Sequence, residues 1–113
     1  MSDCIFCKIA AHQIPVEAVV ETEQGIVFPD MNPQAPVHLL VIPKTHYADA
    51  VAASEDPALV GHLIGLATQA AEARGLASGG YRIVTNTGAD GGQSVPHLHF
   101  HVLGGRVMRW PPG

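Results

Sequence analysis

The stretch that decides the fold of this chain reads His97-Leu98-His99-Phe100-His101-Val102-Leu103. Because alternate side chains of a β-strand face opposite sides of a sheet, the pattern predicts a strand over 97–103. Leu98, Phe100 and Val102 would form its apolar face, and three imidazoles, each about 6.5 Å from the next, would line the other. The alternative is a solvent-facing strand whose histidines have no chemical function. Three imidazoles in one row favour metal ligation or nucleophilic and acid–base catalysis.

A glycine-rich loop precedes this strand. Residues 86–94 read Asn-Thr-Gly-Ala-Asp-Gly-Gly-Gln-Ser and include three glycines and several side-chain donors. Glycine lets the backbone approach a ligand closely, and its N–H groups can surround a phosphate. Loops of this composition are often ordinary turns. The position directly before the histidine row favours a phosphate-binding loop.

The rest of the chain predicts two helices and four further strands. The strands are expected over 17–22, 26–28, 37–42 and 81–86, and a short helix within 4–12. A long helix should begin at Ser54 as N-cap, with Glu55 and Asp56 in its first turn, and stop at Gly75. Since the elements do not follow strict βαβ alternation, we expect an α+β fold around an antiparallel sheet.

Composition limits the classes of function. The chain has 113 residues, a hydrophobic fraction of 47% and a charged fraction of 14%, which predicts one globular domain spanning 1–113. The net charge of −4 and the lack of a basic patch argue against nucleic acid as partner, while a single nucleotide remains compatible. No stretch approaches the roughly 20 apolar residues of a membrane span, and Met1-Ser2-Asp3-Cys4 does not open a signal peptide, so we expect a cytoplasmic protein.

A Cys-x-x-Cys pair opens the chain. Cys4 and Cys7 have the gap that lets two thiolates reach one metal ion. A thioredoxin-type redox site would need a preceding strand, and none is predicted. Zinc would need two more ligands, for which His46 and His97 are available, and a site of two sulfurs and two nitrogens would be structural. Spacing alone does not choose between zinc and two reduced thiols.

The chain resembles the Hint branch of the histidine triad (HIT) superfamily, the purine nucleoside phosphoramidases, over nearly its whole length. The histidine row matches the triad motif His-x-His-x-His-x-x with hydrophobic x positions. The other matching stretches are Ile5-Phe6-Cys7-Lys8-Ile9, Asp30-Met31-Asn32-Pro33-Gln34-Ala35-Pro36, Gly88-Ala89-Asp90-Gly91-Gly92-Gln93-Ser94, and a tail of Gly104-Gly105-Arg106 and Trp110-Pro111-Pro112-Gly113.

The resemblance implies a fold and a reaction. It implies an α+β homodimer in which two five-stranded antiparallel sheets, each with one long and one short helix, join into ten strands. His99 would become covalently nucleotidylated, with His101 and His38 around the phosphate and Ser94 bonded to the phosphate or the leaving nitrogen. The substrate would be a purine nucleoside monophosphate conjugate, such as an adenosine phosphoramidate.

The resemblance also implies the remaining binding residues. Asp30 would hold the ribose hydroxyls, and Asn32 beside it replaces the Ser of animal relatives. The residues expected around the base are Phe6, Ile9, Phe28, Met31 and Leu40. The expected phosphate contacts are Asn86, Gly92 and Gln93, and Trp110 would arrive from the partner chain. Bacterial relatives with the Cys-x-x-Cys pair use Cys4, Cys7, His46 and His97 for zinc.

Other classes of function stay open at this point. The chain could be a nucleotide-binding regulator with incidental turnover, or a zinc-binding structural module. Dinucleoside polyphosphate hydrolases share the triad but lack the Trp-Pro-Pro-Gly tail, and galactose-phosphate uridylyltransferases are much longer than 113 residues.

Overall fold

Three helices and five strands make up the part of the chain that the structure, a computed structural model, describes: residues 3–113. Met1 and Ser2, which entered the signal-peptide expectation, lie outside the described residues. The helices are α1 Ile5–Ala10, α2 Ala50–Ala53 and α3 Pro57–Ala73, and the strands are β1 Val20–Glu21, β2 Gly25–Pro29, β3 Val37–Pro43, β4 Tyr81–Thr85 and β5 Phe100–Gly104. No helix within 3–113 has the length and apolar character needed to cross a bilayer.

The strands form one antiparallel sheet in the order β1-β2-β3-β5-β4. In its register, Leu40 of β3 lies opposite His101 of β5, and His101 lies opposite Val84 of β4. His101 is therefore placed on the central strands of the sheet. The predicted α+β fold with a five-stranded antiparallel sheet is confirmed.

Both faces of the sheet are covered. On one face α3 packs against Leu98, Phe100 and Val102, all of which are buried. On the other face α1 packs over a second apolar cluster: Phe6, Ile9, Ala10, Ile26, Phe28, Leu40 and Ile42. Because β3 is buried on both sides, its sequence is a nearly continuous apolar run, as expected for a central strand. The short α1 contributes only six residues to its face, which also carries His38 and His101.

The N-cap of the long helix lies two residues later than predicted. Asp56, not Ser54, is the N-cap of α3, and its carboxylate accepts the Leu59 N–H at 3.1 Å. Pro57 follows at the first helical position, where its fixed φ suits a helix start. Ser54 instead ends the one-turn helix α2, which the sequence did not predict, and its hydroxyl donates to the Val51 carbonyl at 2.7 Å. The predicted stop at Gly75 is confirmed by its φ of +77°.

The histidine strand is shorter than predicted. Strand β5 begins at Phe100, so His97 and His99 lie in an irregular segment before it. The Leu98 N–H donates to the Tyr47 carbonyl at 2.6 Å, outside the strand ladder, which lets this segment leave the sheet. Likewise β1 has only two of the six predicted residues. The alternation of the apolar side chains survives, since Leu98 still packs with the α3 face.

Candidate active site

His99 is held in one tautomer by the backbone. Its Nδ1 lies 2.7 Å from the carbonyl oxygen of His97, and the side chain is only 5% exposed. A carbonyl only accepts hydrogen bonds, so Nδ1 must carry the proton. The other ring nitrogen, Nε2, is therefore left with an unprotonated lone pair in the neutral ring. Such a nitrogen is ready to act as a nucleophile.

His38 and His101 form a directed hydrogen-bond chain. The Gln34 N–H donates to His38 Nδ1 at 3.0 Å, so in the neutral ring the proton sits on His38 Nε2. That nitrogen lies 2.8 Å from His101 Nδ1 and 3.4 Å from an Asp30 carboxylate oxygen. Because His101 Nδ1 accepts from His38, its own proton sits on Nε2. His101 thus presents an N–H donor beside His99, whose ring centroid is 5.0 Å away.

Burial keeps this pair of imidazoles neutral. It lowers the pKa of His38, against an opposing effect of the Asp30 carboxylate. The pKa of His101 falls to about 4, first through burial and then through the neighbouring His99 and His38, with Asp30 again opposing. Near neutral pH both rings are therefore uncharged, and the tautomers assigned above are the ones present.

A cavity of about 260 Å³ opens in front of these histidines. Its wall combines an apolar half with a polar half of one acid, one hydroxyl and two imidazoles. The lining residues are Ile5, Phe6, Ile9, Phe28, Asp30, Met31, Leu40, Ser94, Val95, His99 and His101. Nine of these eleven were predicted site residues. Sequence reasoning missed Ile5, which shares α1 with Phe6, and Val95, which directly follows Ser94 and could have been found from that position.

The glycine-rich loop is braced by two of its predicted phosphate ligands. The Asn86 amide donates to the Gly91 carbonyl at 2.7 Å. The Gln93 amide donates to the Ala48 carbonyl at 2.7 Å, and its oxygen accepts the Gly88 N–H at 3.1 Å. A Cβ on Gly91 would overlap the Thr87 carbonyl, so only glycine fits there. Asn86 and Gln93 thus shape the loop that ends at Ser94, and their side chains do not line the cavity.

Two further predicted nucleotide contacts, Asn32 and Trp110, do not line this cavity. Asn32 is exposed and its N–H donates to the Asp30 carboxylate at 2.8 Å, which orients that acid. Trp110 is 81% exposed, and the Arg82 guanidinium of β4 lies 5.9 Å from its ring. Within residues 3–113 of one chain, Trp110 does not reach the His99 cavity.

A separate cluster brings together the four predicted metal ligands. His97 Nδ1 lies 3.3 Å from Cys4 Sγ, 3.5 Å from Cys7 Sγ and 3.0 Å from His46 Nδ1, and Cys7 Sγ lies 3.2 Å from His46 Nδ1. Tetrahedral zinc with sulfur and nitrogen ligands places neighbouring ligand atoms about 3.3–3.8 Å apart. One ring nitrogen cannot share hydrogen bonds equally with three neighbours, so this convergence is typical of ligands around one ion.

The tautomer of His97 fits a metal as well. Its Nε2 lies 2.9 Å from the Pro43 carbonyl oxygen and must donate to it. Nδ1 is then unprotonated and can serve as a ligand, with Pro43 as the outer partner that fixes the ring. The cluster could hold a metal ion compatible with zinc.

A second group of possible ligands, Asp30, His38 and His101, fails the same test. The Gln34 N–H already occupies the lone pair of His38 Nδ1. His38 Nε2 must then be protonated unless the ring becomes an anion, so it has no lone pair for a cation. This group is a hydrogen-bond chain.

The comparisons with known proteins agree with this geometry. The family model of the HIT domain matches residues 11–108. The chain belongs to the HIT domain family. An uncharacterized HIT-like protein of Synechococcus elongatus is 50% identical over 112 residues, which are 98% of this chain and 97% of that protein.

Solved HIT structures match the fold closely. A HIT family hydrolase from Legionella pneumophila Philadelphia 1 has a TM-score of 0.93 and 46% identity, over 98% of this chain and 100% of that one. A histidine triad protein from Clostridium difficile has a TM-score of 0.92 and 40% identity, over 96% of both chains. The predicted HIT family and the α+β fold of one chain are confirmed.

In this HIT domain the three triad histidines have three different surroundings. His97 is fully buried and turns its ring into the Cys/His cluster, His99 lines the cavity, and His101 bonds to His38. The expected strand over 97–103 is therefore observed only from Phe100 onward, and His97 and His99 precede it. The Phe6 ring contacts the first two in T-shaped arrangements, with centroids 5.8 Å from His97 and 5.0 Å from His99.

Proposed function

We propose that this HIT domain hydrolyses conjugates of purine nucleoside monophosphates, such as adenosine phosphoramidates, through a covalent nucleotidyl intermediate on His99. The observation that carries the proposal is the fixed His99 tautomer, with Nδ1 2.7 Å from the His97 carbonyl oxygen. With the proton on Nδ1, the Nε2 lone pair of His99 stays unprotonated. The ring lines the cavity of about 260 Å³. The Legionella relative is described as a hydrolase, which supports a reaction of the same class.

The two halves of the cavity suit the two halves of a nucleotide. A flat apolar base fits between Phe6, Phe28 and Leu40, which bury its surface. The Asp30 carboxylate, oriented by its bond from the Asn32 N–H, is an acceptor for ribose hydroxyls. The phosphate then lies toward the histidines and Ser94. The Gly92 N–H, predicted as a phosphate contact, already donates to the Ala89 carbonyl at 3.0 Å, so we assign the phosphate donors to Ser94 and His101.

The reaction balances in two displacements. His99 Nε2 bonds to phosphorus, the P–N bond breaks, and the leaving nitrogen takes a proton from water and departs as an amine. The positive charge that develops on His99 is stabilised by the His97 carbonyl at Nδ1. A water molecule then bonds to phosphorus, returns the electron pair to His99 and releases its proton. The His101 N–H donates to a phosphoryl oxygen throughout, and Ser94 supplies a second donor.

The test is capture of the intermediate. His99→Ala should abolish turnover of an adenosine phosphoramidate and the mass increment of a bound nucleotide, while AMP affinity and the melting temperature stay near wild type. Intact-protein mass spectrometry at short reaction times detects the adduct. The matched control is His62→Ala, which removes an imidazole bonded to Thr22 outside the cavity. Turnover above about a hundredth of wild type in His99→Ala would exclude His99 as the nucleophile.

The Cys/His cluster is proposed as a structural zinc site. Its four ligands leave no open position for a substrate, so the metal would supply stability and take no part in the hydrolysis. His46 comes from the segment after β3 and His97 from the segment before β5, and the two cysteines flank the first turn of α1. An ion held there would join three segments that are far apart in the chain.

Metal analysis tests this second proposal. The purified protein should contain one zinc per chain. Because a metal that binds only the folded state stabilises that state, removing it with a chelator should lower the melting temperature. Cys4→Ser combined with Cys7→Ser should lack zinc and melt near the temperature of the chelated protein. A double variant as stable as wild type contradicts a structural metal.

A further inference from the structure

The Cys/His cluster touches the proposed nucleophile through two short connections. The first is His97 itself, whose ring belongs to the cluster while its carbonyl oxygen accepts the His99 Nδ1 proton at 2.7 Å. The second is Phe6, which lies between the two cysteines on α1 and packs its ring edge against both histidines, with centroids 5.8 and 5.0 Å away. The His99 ring is thus in contact with one cluster residue and with one residue of the helix that carries Cys7.

Both connections have contacts besides the cluster, such as the apolar packing of Phe6 and the bond of the His97 ring to the Pro43 carbonyl, but neither belongs to a long regular element. Helix α1 has six residues, fewer than the roughly 12–15 that an isolated helix needs, so its position depends on tertiary contacts. Its N-terminus is capped by the cluster itself, since Cys4 Sγ accepts the Cys7 N–H at 3.4 Å. His97 lies in an irregular segment before β5, where no strand ladder fixes its carbonyl. The Leu98 N–H of the same peptide unit donates to the Tyr47 carbonyl at 2.6 Å, and the His97 ring, which belongs to the cluster, adds a second restraint on the direction of that carbonyl.

We propose that the four-ligand cluster sets the rate of nucleotidyl transfer, with His97 and Phe6 as positioning residues for His99. This inference rests on the proposed function. Without a metal, the two thiols and two imidazoles are no longer drawn to one point, and the His97 carbonyl and the Phe6 ring lose their shared restraint. The His99 Nε2 lone pair then leaves the line of attack, although Asp30 and the β2–β3 side of the cavity still bind nucleotide.

The proposal separates binding from chemistry. A displacement of about 1 Å in a reacting group can cost 10²-fold in rate. We expect metal-free protein to form the His99 adduct about 10- to 100-fold more slowly, with AMP affinity within about threefold of the loaded protein. A cluster that serves stability alone would leave the adduct rate of folded protein unchanged.

The experiment compares metal-loaded and metal-free protein under reducing conditions. Four quantities are measured for each: zinc content, AMP affinity by calorimetry, the single-turnover rate of adduct formation by mass spectrometry, and the ¹⁵N chemical shifts of His99, which report its tautomer. His46→Ala removes the exposed ligand without touching His99 and should behave as the metal-free protein does. His46→Cys should restore zinc and rate, since three thiolates and one imidazole also bind zinc. His62→Ala is the control for loss of an imidazole.

Every outcome of this experiment either supports or overturns the proposal. A slower adduct rate with a mixed His99 tautomer and retained AMP affinity supports the proposal, and an unchanged rate and tautomer in folded metal-free protein overturns it. If metal-free protein unfolds, loaded Phe6→Leu replaces it at saturating substrate, because Phe6 also lines the base half of the cavity. An unchanged adduct rate and His99 tautomer in that variant overturn the proposal. If loaded wild type forms no adduct at all, the proposed function fails, and the ¹⁵N signature of His99 alone judges the positioning.

Discussion

At the scale of single residues, backbone groups decide which nitrogen of each buried imidazole is available. The carbonyl of His97 selects the His99 tautomer, the carbonyl of Pro43 selects that of His97, and the Gln34 N–H selects that of His38. Each choice gives its ring a different chemical role, because a neutral imidazole has one donor and one acceptor. In the proposed function, three histidines of one motif would thus serve as a metal ligand, a nucleophile and a hydrogen-bond donor.

The tautomers of these imidazoles could not be predicted from the sequence. The pattern at 97–103 predicted the apolar alternation correctly, since that depends only on neighbours along the strand. The different surroundings of the imidazoles were not predictable from this pattern, because the ring of His97 is placed by Cys4, 93 residues away, and by Pro43, 54 residues away. Local periodicity contains no information on such partners. The residue spacing and the family resemblance both led to Cys4, Cys7, His46 and His97, and the structure supplied the tautomers.

The buried His101 predicts a pH dependence of stability. Its pKa of about 4 in the folded protein lies below the value of about 6.5 expected for the unfolded chain. Between those values the unfolded chain binds a proton that the folded one does not, so stability falls as the pH drops from about 6.5 to about 4. The neighbouring Asp30 opposes this shift and His38 and His99 favour it. In His101→Gln the melting temperature should fall less steeply over that range than in wild type.

Scanning fluorimetry at intervals of half a pH unit measures this difference. Carboxylates titrate in the same range, but they do so equally in wild type and variant, so the difference in slope belongs to the His101 site. His62→Gln should keep the wild-type slope. Parallel curves for wild type and His101→Gln would mean that His101 has no lowered pKa.

At the scale of elements, the start of α3 shows how a helix boundary is decided. Ser54 and Asp56 are both good N-cap residues, and the sequence favours Ser54 because acidic residues follow it. The structure uses Asp56 because Pro57 starts the helix without needing an N–H partner. The helix itself was predictable from its apolar period, and its first residue was not. The one-turn α2 was missed because four residues are too few for a period.

The competing caps give a matched pair of substitutions. Asp56→Ala removes the acceptor of the Leu59 N–H and should lower the free energy of unfolding by about 0.5–2 kcal/mol. Ser54→Ala removes only a hydroxyl that donates to the Val51 carbonyl and should cost clearly less. Urea titrations of both variants and wild type provide the comparison. Equal losses of unfolding free energy in the two variants would mean that the Asp56 cap stabilises the protein no more than the Ser54 hydroxyl does.

At the scale of the whole molecule, the two edges of the sheet differ. β1 is an edge of two residues, whereas β4 exposes a five-residue edge whose side chains are all half-buried. Unpaired strand edges are templates for pairing with another chain. The exposed Trp110 lies beside this edge, against Arg82 of β4. We therefore retain the homodimer as a proposal in which two β4 edges meet and make ten continuous strands.

The dimer would make each active site depend on both chains. With strands about 4.8 Å apart, a tail that lies over β4 is about two strands from β5 of a partner paired at that edge. Trp110 then covers the leaving-group side of the partner's cavity, which explains why it does not reach its own. Light scattering should give about 24 kDa, twice the 11.9 kDa of one chain.

Mixing two defective variants tests the shared site directly. His99→Ala lacks the nucleophile, and Trp110→Ala should turn over slowly because each cavity loses its cover. After exchange of subunits, half of the dimers are mixed, and each of these holds one complete site, built from His99 of one chain and Trp110 of the other. The mixture should therefore regain about a quarter of wild-type turnover, well above the mean of the separate variants. A mixture that equals that mean, or a molar mass of 11.9 kDa, means that each chain builds its cavity alone.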